Sequence, residues 1–199
     1  MKHVIKMKKL LFKIFWLFIF ISSCAQSNEI TKEDNFIISK IIDDFTFPVA
    51  PPPPMGSNDT IIPKKIIDSL LKIKMIVGVY PQMESSLFEE RRDKVPKRFN
   101  DIIDTSLQGK NINNVDNIRS KKGHILKLAD TVNLKKSKDY DQFDLLYSFS
   151  RVWYNRDETM AILEFGVSRS KLYGSAQILC LEKIDGNWSI VKSIPTTSW

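Results

Sequence analysis

Residues 145–154, LLYSFSRVWY, open the last third of the chain, and three similar runs follow: TMAILEFGVS at 159–168, AQILCLEKI at 176–184 and NWSIVKSI at 187–194. Aromatic and branched side chains in this density fit the pleated, half-buried surface of a sheet. The runs are separated by NRDE at 155–158, by a loop around Gly174, and by Asp185-Gly186. The Asp-Gly pair is a strong hairpin signal, because the tight turn needs positive φ at both central residues. This third of the chain is predicted to be an antiparallel meander of about four strands.

Upstream of it the apolar spacing changes. Ile37, Ile38, Ile41, Ile42 and Phe45 recur at steps of one, three and four, which makes one face of a helix from Asp34 to about Thr46, with Asp34 or Asn35 placed to cap it. Pro48 stops it. The stretch PVAPPPP at 48–54 can neither join a helix nor donate to a sheet, so 48–59 reads as an extended connector or, alternatively, a docking peptide. Ile61 to Ile73 reads as a helix with Pro63 in its first turn, running into the β-leaning KMIVGVYP at 74–81. After Pro96, the residues Phe99, Ile102, Ile103 and Leu107 share a helical face and Gly109 supplies a stop. Residues 110–123 read as loop and His124 to Leu128 as a short strand. The predicted fold class is α+β, two or three helices packed on a largely antiparallel sheet that ends in the four-strand meander.

The N-terminus is of another kind. MKHVIKMKK carries four lysines and no acid, and LLFKIFWLFIFI at 10–21 follows it. Its uninterrupted apolar run, Ile14 to Ile21, is far shorter than the roughly 20 residues a spanning helix needs, so a signal peptide is expected. The junction Ile21-Ser22-Ser23-Cys24 resembles the bacterial lipobox. The resemblance implies a diacylglyceryl group on the Cys24 sulfur, cleavage before Cys24 and acylation of the new amine. It divides the chain into a leader at 1–23, a lipidated tether at 24–33 and one domain at 34–199. Ala25, where an aspartate would signal retention, implies sorting to the outer membrane, and the membrane becomes the expected partner. A single acyl chain binds membranes only marginally, at about 0.8 kcal/mol per buried methylene, so the further chains matter. The alternative is a leader cut elsewhere, with Cys24 an ordinary thiol.

The net charge of +7 points at first to a polyanion. Five of the lysines (Lys2, Lys6, Lys8, Lys9 and Lys13) lie in the leader, which leaves 25 basic and 23 acidic side chains, a net charge of +2. Nucleic acid is therefore not expected as a partner, since affinity for phosphates needs clustered cations. Charge is uneven all the same: Arg119 to Lys138 holds seven basic residues against Asp130. That stretch reads as a solvated surface, or as a contact for anionic headgroups or an acidic ligand. With Cys24 acylated, Cys180 is the remaining thiol, so no intramolecular disulfide is expected, and its setting in ILCL suits an inert buried cysteine.

In the meander, Ser150-Arg151, Asn155, Gly174, Leu181-Glu182-Lys183 and Asp185-Gly186-Asn187-Trp188 are similar to the C-terminal meander of uncharacterised bacterial lipoproteins. This chain has SRSKLYGS at 168–175 where that group carries extra glycines and cysteines. The closing D-G-x-W-x-I also resembles the last hairpin of cystatin-like cone folds. By residue chemistry, Gly186 serves the turn, Trp188 packs across the hairpin and Asn155 caps the NRDE turn. Arg151 is the ligand-binding candidate: it pairs with Glu164 or Glu182, or turns its charged fork to a ligand.

Catalytic patterns are sparse. After the leader the chain holds one histidine, His124, and Cys180, which excludes multi-ligand Cys/His metal sites and the HExxH motif; no metal and no cofactor are expected. A hydrolase triad would need His124 as its base with Ser120 nearby, without the GxSxG elbow. Ser168 with Lys171 and Ser189 with Lys192 match a serine-lysine spacing but fall in or beside strands. Of the carboxylate pairs, Asp43/Asp44 and Glu89/Glu90 are adjacent and point apart and Asp101/Asp104 share one exposed helical face; glycoside hydrolysis needs two carboxyls across a cleft, a distance that sequence spacing does not supply. The function expected is a lipid-anchored envelope protein with a non-catalytic domain for a small ligand or an envelope protein, inhibitor- or immunity-type roles included. The alternatives are a carboxylate-dependent envelope hydrolase and a structural subunit of an envelope complex.

Overall fold

Thr31 begins the first helix, and a computed structural model, which describes residues 29–48, 62–85, 89–131, 142–170 and 173–198, shows how. The Asp34 N–H donates to the Thr31 hydroxyl at 3.2 Å and the Thr31 N–H donates to the Asp34 carboxylate at 2.7 Å, a reciprocal capping box. Helix α1 runs Lys32–Phe45. Asp34 is thus the third residue of the helix, closing the box, and not the cap itself. Ile37, Ile38, Ile41 and Ile42 are fully buried, each stabilising the fold by about 1.5–3 kcal/mol. The leader, Cys24, the tether before Glu29 and the connector from residue 49 onward lie outside the described residues.

Helix α2 (Lys64–Leu70) leads into strand β1 (Ile76–Val79). Then come β2 (Gln82–Met83), a 3₁₀ turn at Glu89–Lys94, helix α3 (Lys97–Asn100), β3 (Lys110–Asn111) and β4 (Ile125–Leu128). The meander follows as β5 (Leu145–Phe149), β6 (Trp153–Tyr154), β7 (Met160–Ser170), β8 (Tyr173–Ile184) and β9 (Asn187–Ser198). The main sheet has seven strands in the order β4-β1-β5-β7-β8-β9, with β6 also on β7, and β2 pairs with β3 separately. The α+β class and the closing meander stand as read from the sequence. Asp185 at φ 49° and Gly186 at φ 77° form the last hairpin turn, and the Asn155 side chain accepts from the Thr159 and Met160 N–H groups at 2.9 Å each.

Three details differ. β1 pairs in parallel with both β4 and β5, because long crossovers let it slot between them; residue pattern announces a strand but not its neighbour. The helix after Pro96 is a single turn, Lys97–Asn100, so Gly109 does not stop it. A Cβ at Gly109 would overlap the Met83 carbonyl oxygen, and glycine is there because two backbones touch. Gly174 lies within β8, paired with Ser168, rather than in the loop, because the two strands extend past it.

The sheet is covered on both faces. α1 packs on one, against Val77, Tyr147, Phe149, Leu163, Phe165 and Leu179. On the other, Val95 and Phe99 cover Trp153, Ile162, Ile178, Cys180 and Ile194. The registers define two ends. Val79, Leu128, Phe149, Ile184 and Asn187 lie at the end where the described chain begins; Ile76, Ile125, Leu145, Arg169 and Tyr173 lie at the far end. α1 spans them, its start tied to Trp188 and Tyr154 and its exit to Tyr147 and Arg169.

Candidate functional site

At the near end a chain of buried polar groups holds the start of α1. Asp34 is fully buried, and Lys110 is almost so. The Lys110 ammonium meets one Asp34 oxygen at 2.6 Å, and the Tyr154 hydroxyl donates to the other at 2.9 Å. Burial first, then the Asp34 carboxylate, pushes the Tyr154 hydroxyl far above the ordinary tyrosine range, so it keeps its proton and donates. Beside it the Trp188 indole donates to Glu33 at 2.7 Å, and Lys183 reaches Glu33 at 3.2 Å and lies 5.0 Å from the Trp188 ring centroid. The Trp188 bond, opposed by burial and helped by Lys183, lowers the Glu33 carboxyl below the usual range. Every oxygen of Asp34 is occupied by the fold. None of these partners was visible in the sequence, where Asp34 and Tyr154 stand far apart.

Arg151 does not form the expected pair. Its guanidinium donates to the Gln108 carbonyl at 2.7 Å, while Glu182 is held by Arg98 at 2.6 Å and Glu164 accepts from the Thr196 hydroxyl at 2.7 Å. The cause is the break between β5 and β6: Ser150 answers Glu164 with its own backbone and hydroxyl, and the Arg151 N–H turns sideways to the Glu84 carbonyl. Arg151, buried, braces the loop that carries Gln108.

The triad types do meet, in the wrong order. Ser120 donates to Asp43 at 2.7 Å and accepts from the His124 backbone N–H at 3.3 Å. The imidazole itself faces elsewhere: its Nδ1 accepts from the Met75 N–H at 3.2 Å. A serine bonded to aspartate and an imidazole bonded to backbone cannot relay a proton as a triad does. Asp43 also accepts from the Lys121 N–H at 3.0 Å, so the three residues shape the 120–123 turn. Burial, and then Lys122, lowers the proton affinity of His124. The folded state therefore binds the neutral ring, and the unfolded chain binds the extra proton below its ordinary value near 6.5. Stability from this group is full above pH 6.5 and is lost as the pH falls below it. Wild type is expected to lose Tm between pH 7 and pH 5 more steeply than His124→Gln, as followed by thermal melts.

Of the carboxylate pairs, Asp44 pairs with Lys40 at 2.8 Å and Asp104 accepts from Ser106 at 2.6 Å; the Glu89 and Glu90 side chains lie outside the described residues. Sequence reading named Glu164 only as a partner for Arg151; it is a buried carboxyl whose proton affinity is raised by burial and by Glu84. The Lys192 amine reaches the Lys94 carbonyl at 3.4 Å, and Lys171 lies outside the described residues. Among the described residues no group of three or more His, Cys, Asp or Glu could hold a metal ion.

Among the described residues the far end is open. A cleft of about 300 Å³ is lined by Pro48, Ile73, Lys74, Met75, Asp144 and Arg169. One wall is fixed by Asp144, which accepts from the Ile76 N–H at 2.7 Å, and another by Arg169, which donates to the Phe47 carbonyl. Lys122 lies 4.6 Å from the Phe47 ring centroid at its rim. Helix α2, which leads to the cleft, buries none of its residues. Ile62, Ile66, Ile67, Leu71 and Ile73 are 38–48 % exposed. Lys64, Lys65, Lys72 and Lys74 stand among them with Asp68 as the acid, and Arg119 to Lys122 add charge nearby. Sequence reading placed a helix at 61–73 and expected two or three helices packed on the sheet; among the described residues nothing buries the apolar side chains of this one.

No protein-family model matches the chain, and neither the curated proteins nor the solved structures contain a match to it.

Proposed function

We propose that this chain is a lipoprotein of the cell envelope, anchored through lipid on Cys24 in the outer membrane, whose domain binds a ligand or an envelope protein without catalysing a reaction. The binding role rests on the open far end, where a cleft flanked by Lys74 and Arg169 adjoins the exposed apolar residues of α2. The anchor rests on Ile21-Ser22-Ser23-Cys24 after a basic and then apolar leader. Several groups that could serve acid-base chemistry are held by the fold: His124 Nδ1 accepts from the Met75 N–H, Ser120 donates to Asp43 and Glu182 pairs with Arg98. An inhibitor- or immunity-type role suits such a domain, since blocking another protein's site needs shape and charge and no reactive group.

The anchor is tested by the intact mass of the mature protein purified from its host's membranes, beside Cys24→Ala. The expected mass corresponds to a chain starting at Cys24 plus a diacylglyceryl group and one acyl chain. The variant is expected to lose both that mass and its stable membrane association. An unmodified Cys24 in membrane-bound wild type would refute the anchor. For the domain, titration of the cleft with anionic and zwitterionic small molecules, read by amide shifts, is expected to perturb Ile73 to Met75 and Arg169 before any other residues.

A further inference from the structure

Helix α2 presents an apolar face with a basic surround and no cover from the described fold. Ile62, Ile66, Ile67, Leu71 and Ile73 are 38–48 % exposed, and four lysines stand against one acid between residues 62 and 74. An exposed basic, amphipathic helix complements an anionic lipid surface, where apolar side chains enter the acyl boundary and lysines meet the headgroups. The pattern continues across the cleft, where Phe47 is 44 % exposed beside Lys122.

We infer that α2, with the Phe47–Lys122 rim, is a second membrane contact that seats on anionic lipid and lays the domain along the bilayer. This rests on the lipid anchor proposed above, and the reach of the chain permits it. Glu29 is fixed to the fold by its bridge to Asn111 and by Asn113, which donates to its carboxylate at 2.9 Å. From Cys24 to Glu29 the backbone spans at most about 18 Å. The 14 residues of α1 separate the anchored end from the far end by about 21 Å. A domain standing upright would hold α2 away from the lipid, whereas one lying along α1 brings both ends to the surface. The anchor then makes the second contact intramolecular, so a helix of seven residues, too weak to hold a membrane alone, can dock.

The test uses the mature lipidated protein carrying Ile67→Cys, reconstituted in vesicles of neutral phosphatidylcholine or of phosphatidylcholine with phosphatidylglycerol. Cys180 is buried and its thiol is pushed up to about 11, and Cys24 carries lipid, so a maleimide reads residue 67. Labelling is expected to slow about tenfold in the anionic vesicles relative to the neutral ones. Replacing Lys64, Lys65, Lys72 and Lys74 by glutamine is expected to abolish the difference. Flotation with the vesicles reports the anchor separately and is expected to be the same throughout. Equal labelling in both vesicles, with flotation intact, overturns the contact and leaves the anchor standing. So does protection that ignores lipid charge, because the chain itself then covers α2, or protection that rises with protein density, because a second copy does.

Discussion

Asp34→Ala is expected to destabilise the domain by about 3–5 kcal/mol, the usual cost of removing one partner from a buried ion pair. Lys110, 5 % exposed, would keep a buried ammonium without its carboxylate, and the Tyr154 hydroxyl would lose its acceptor. The Thr31 N–H would lose its cap as well. For a chain of this size, that corresponds to a fall in Tm of about 10 °C. The decisive comparison is Asp34→Leu with Lys110→Met. If the single change is costly because it strands a charge, the double replacement recovers part of the loss, short of about 1 kcal/mol for the missing cap and about 1–3 kcal/mol for the unpaired Tyr154 hydroxyl. Denaturant unfolding of the single and double variants checks this. A loss under about 1 kcal/mol for Asp34→Ala would mean that Lys110 reaches solvent easily.

Trp153→Ala should be as damaging, by about 3–5 kcal/mol. Trp153 is 2 % exposed and fills the layer between the sheet and α3, against Val95, Phe99, Ile162 and Ile178. Its indole N–H donates to the Asp104 carbonyl at 2.9 Å, which holds the loop after α3 down on the sheet. Trp153→Phe keeps most of the packing and removes that bond, and about 1–2 kcal/mol is expected for it. The order wild type, Phe, Ala in unfolding midpoint separates packing from hydrogen bonding. Equal losses for Phe and Ala would show that the Asp104 bond, rather than the volume, carries the site. The layer depends on this residue because α3 is one turn long and contributes Phe99 as its buried residue.

Much of the fold was legible because its causes are local. The Asp-Gly turn, the Asn155 turn and the isoleucine spacing of α1 each need only residues within a few positions of one another. Gly109 shows the limit: its glycine was visible, but its reason, the Met83 carbonyl against it, comes from a contact between separate segments. The same holds for Arg151, whose partner choice depended on a break in the strand ladder that no composition rule marks. The third helix fell short of its pattern because the apolar side chains of Ile102, Ile103 and Leu107 pack against the second core from a loop as well as from a helix.

The sequence by itself determined most of the elements of this protein: the first helix, the strands of the closing sheet, the Asp-Gly hairpin turn, and a basic then apolar stretch at 1–21 with Cys24 shortly after it. Those are properties of neighbouring residues, set by backbone sterics and by the periods of helix and strand. The tertiary structure alone decided the partners. It placed β1 in parallel between β4 and β5, closed Asp34 on Lys110 and Tyr154, turned the His124 imidazole away from Ser120, and, among the described residues, left the apolar side chains of α2 exposed. Burial and the pairing of charges are collective quantities. Whether an isoleucine meets a core or open solvent depends on every other segment that could have covered it.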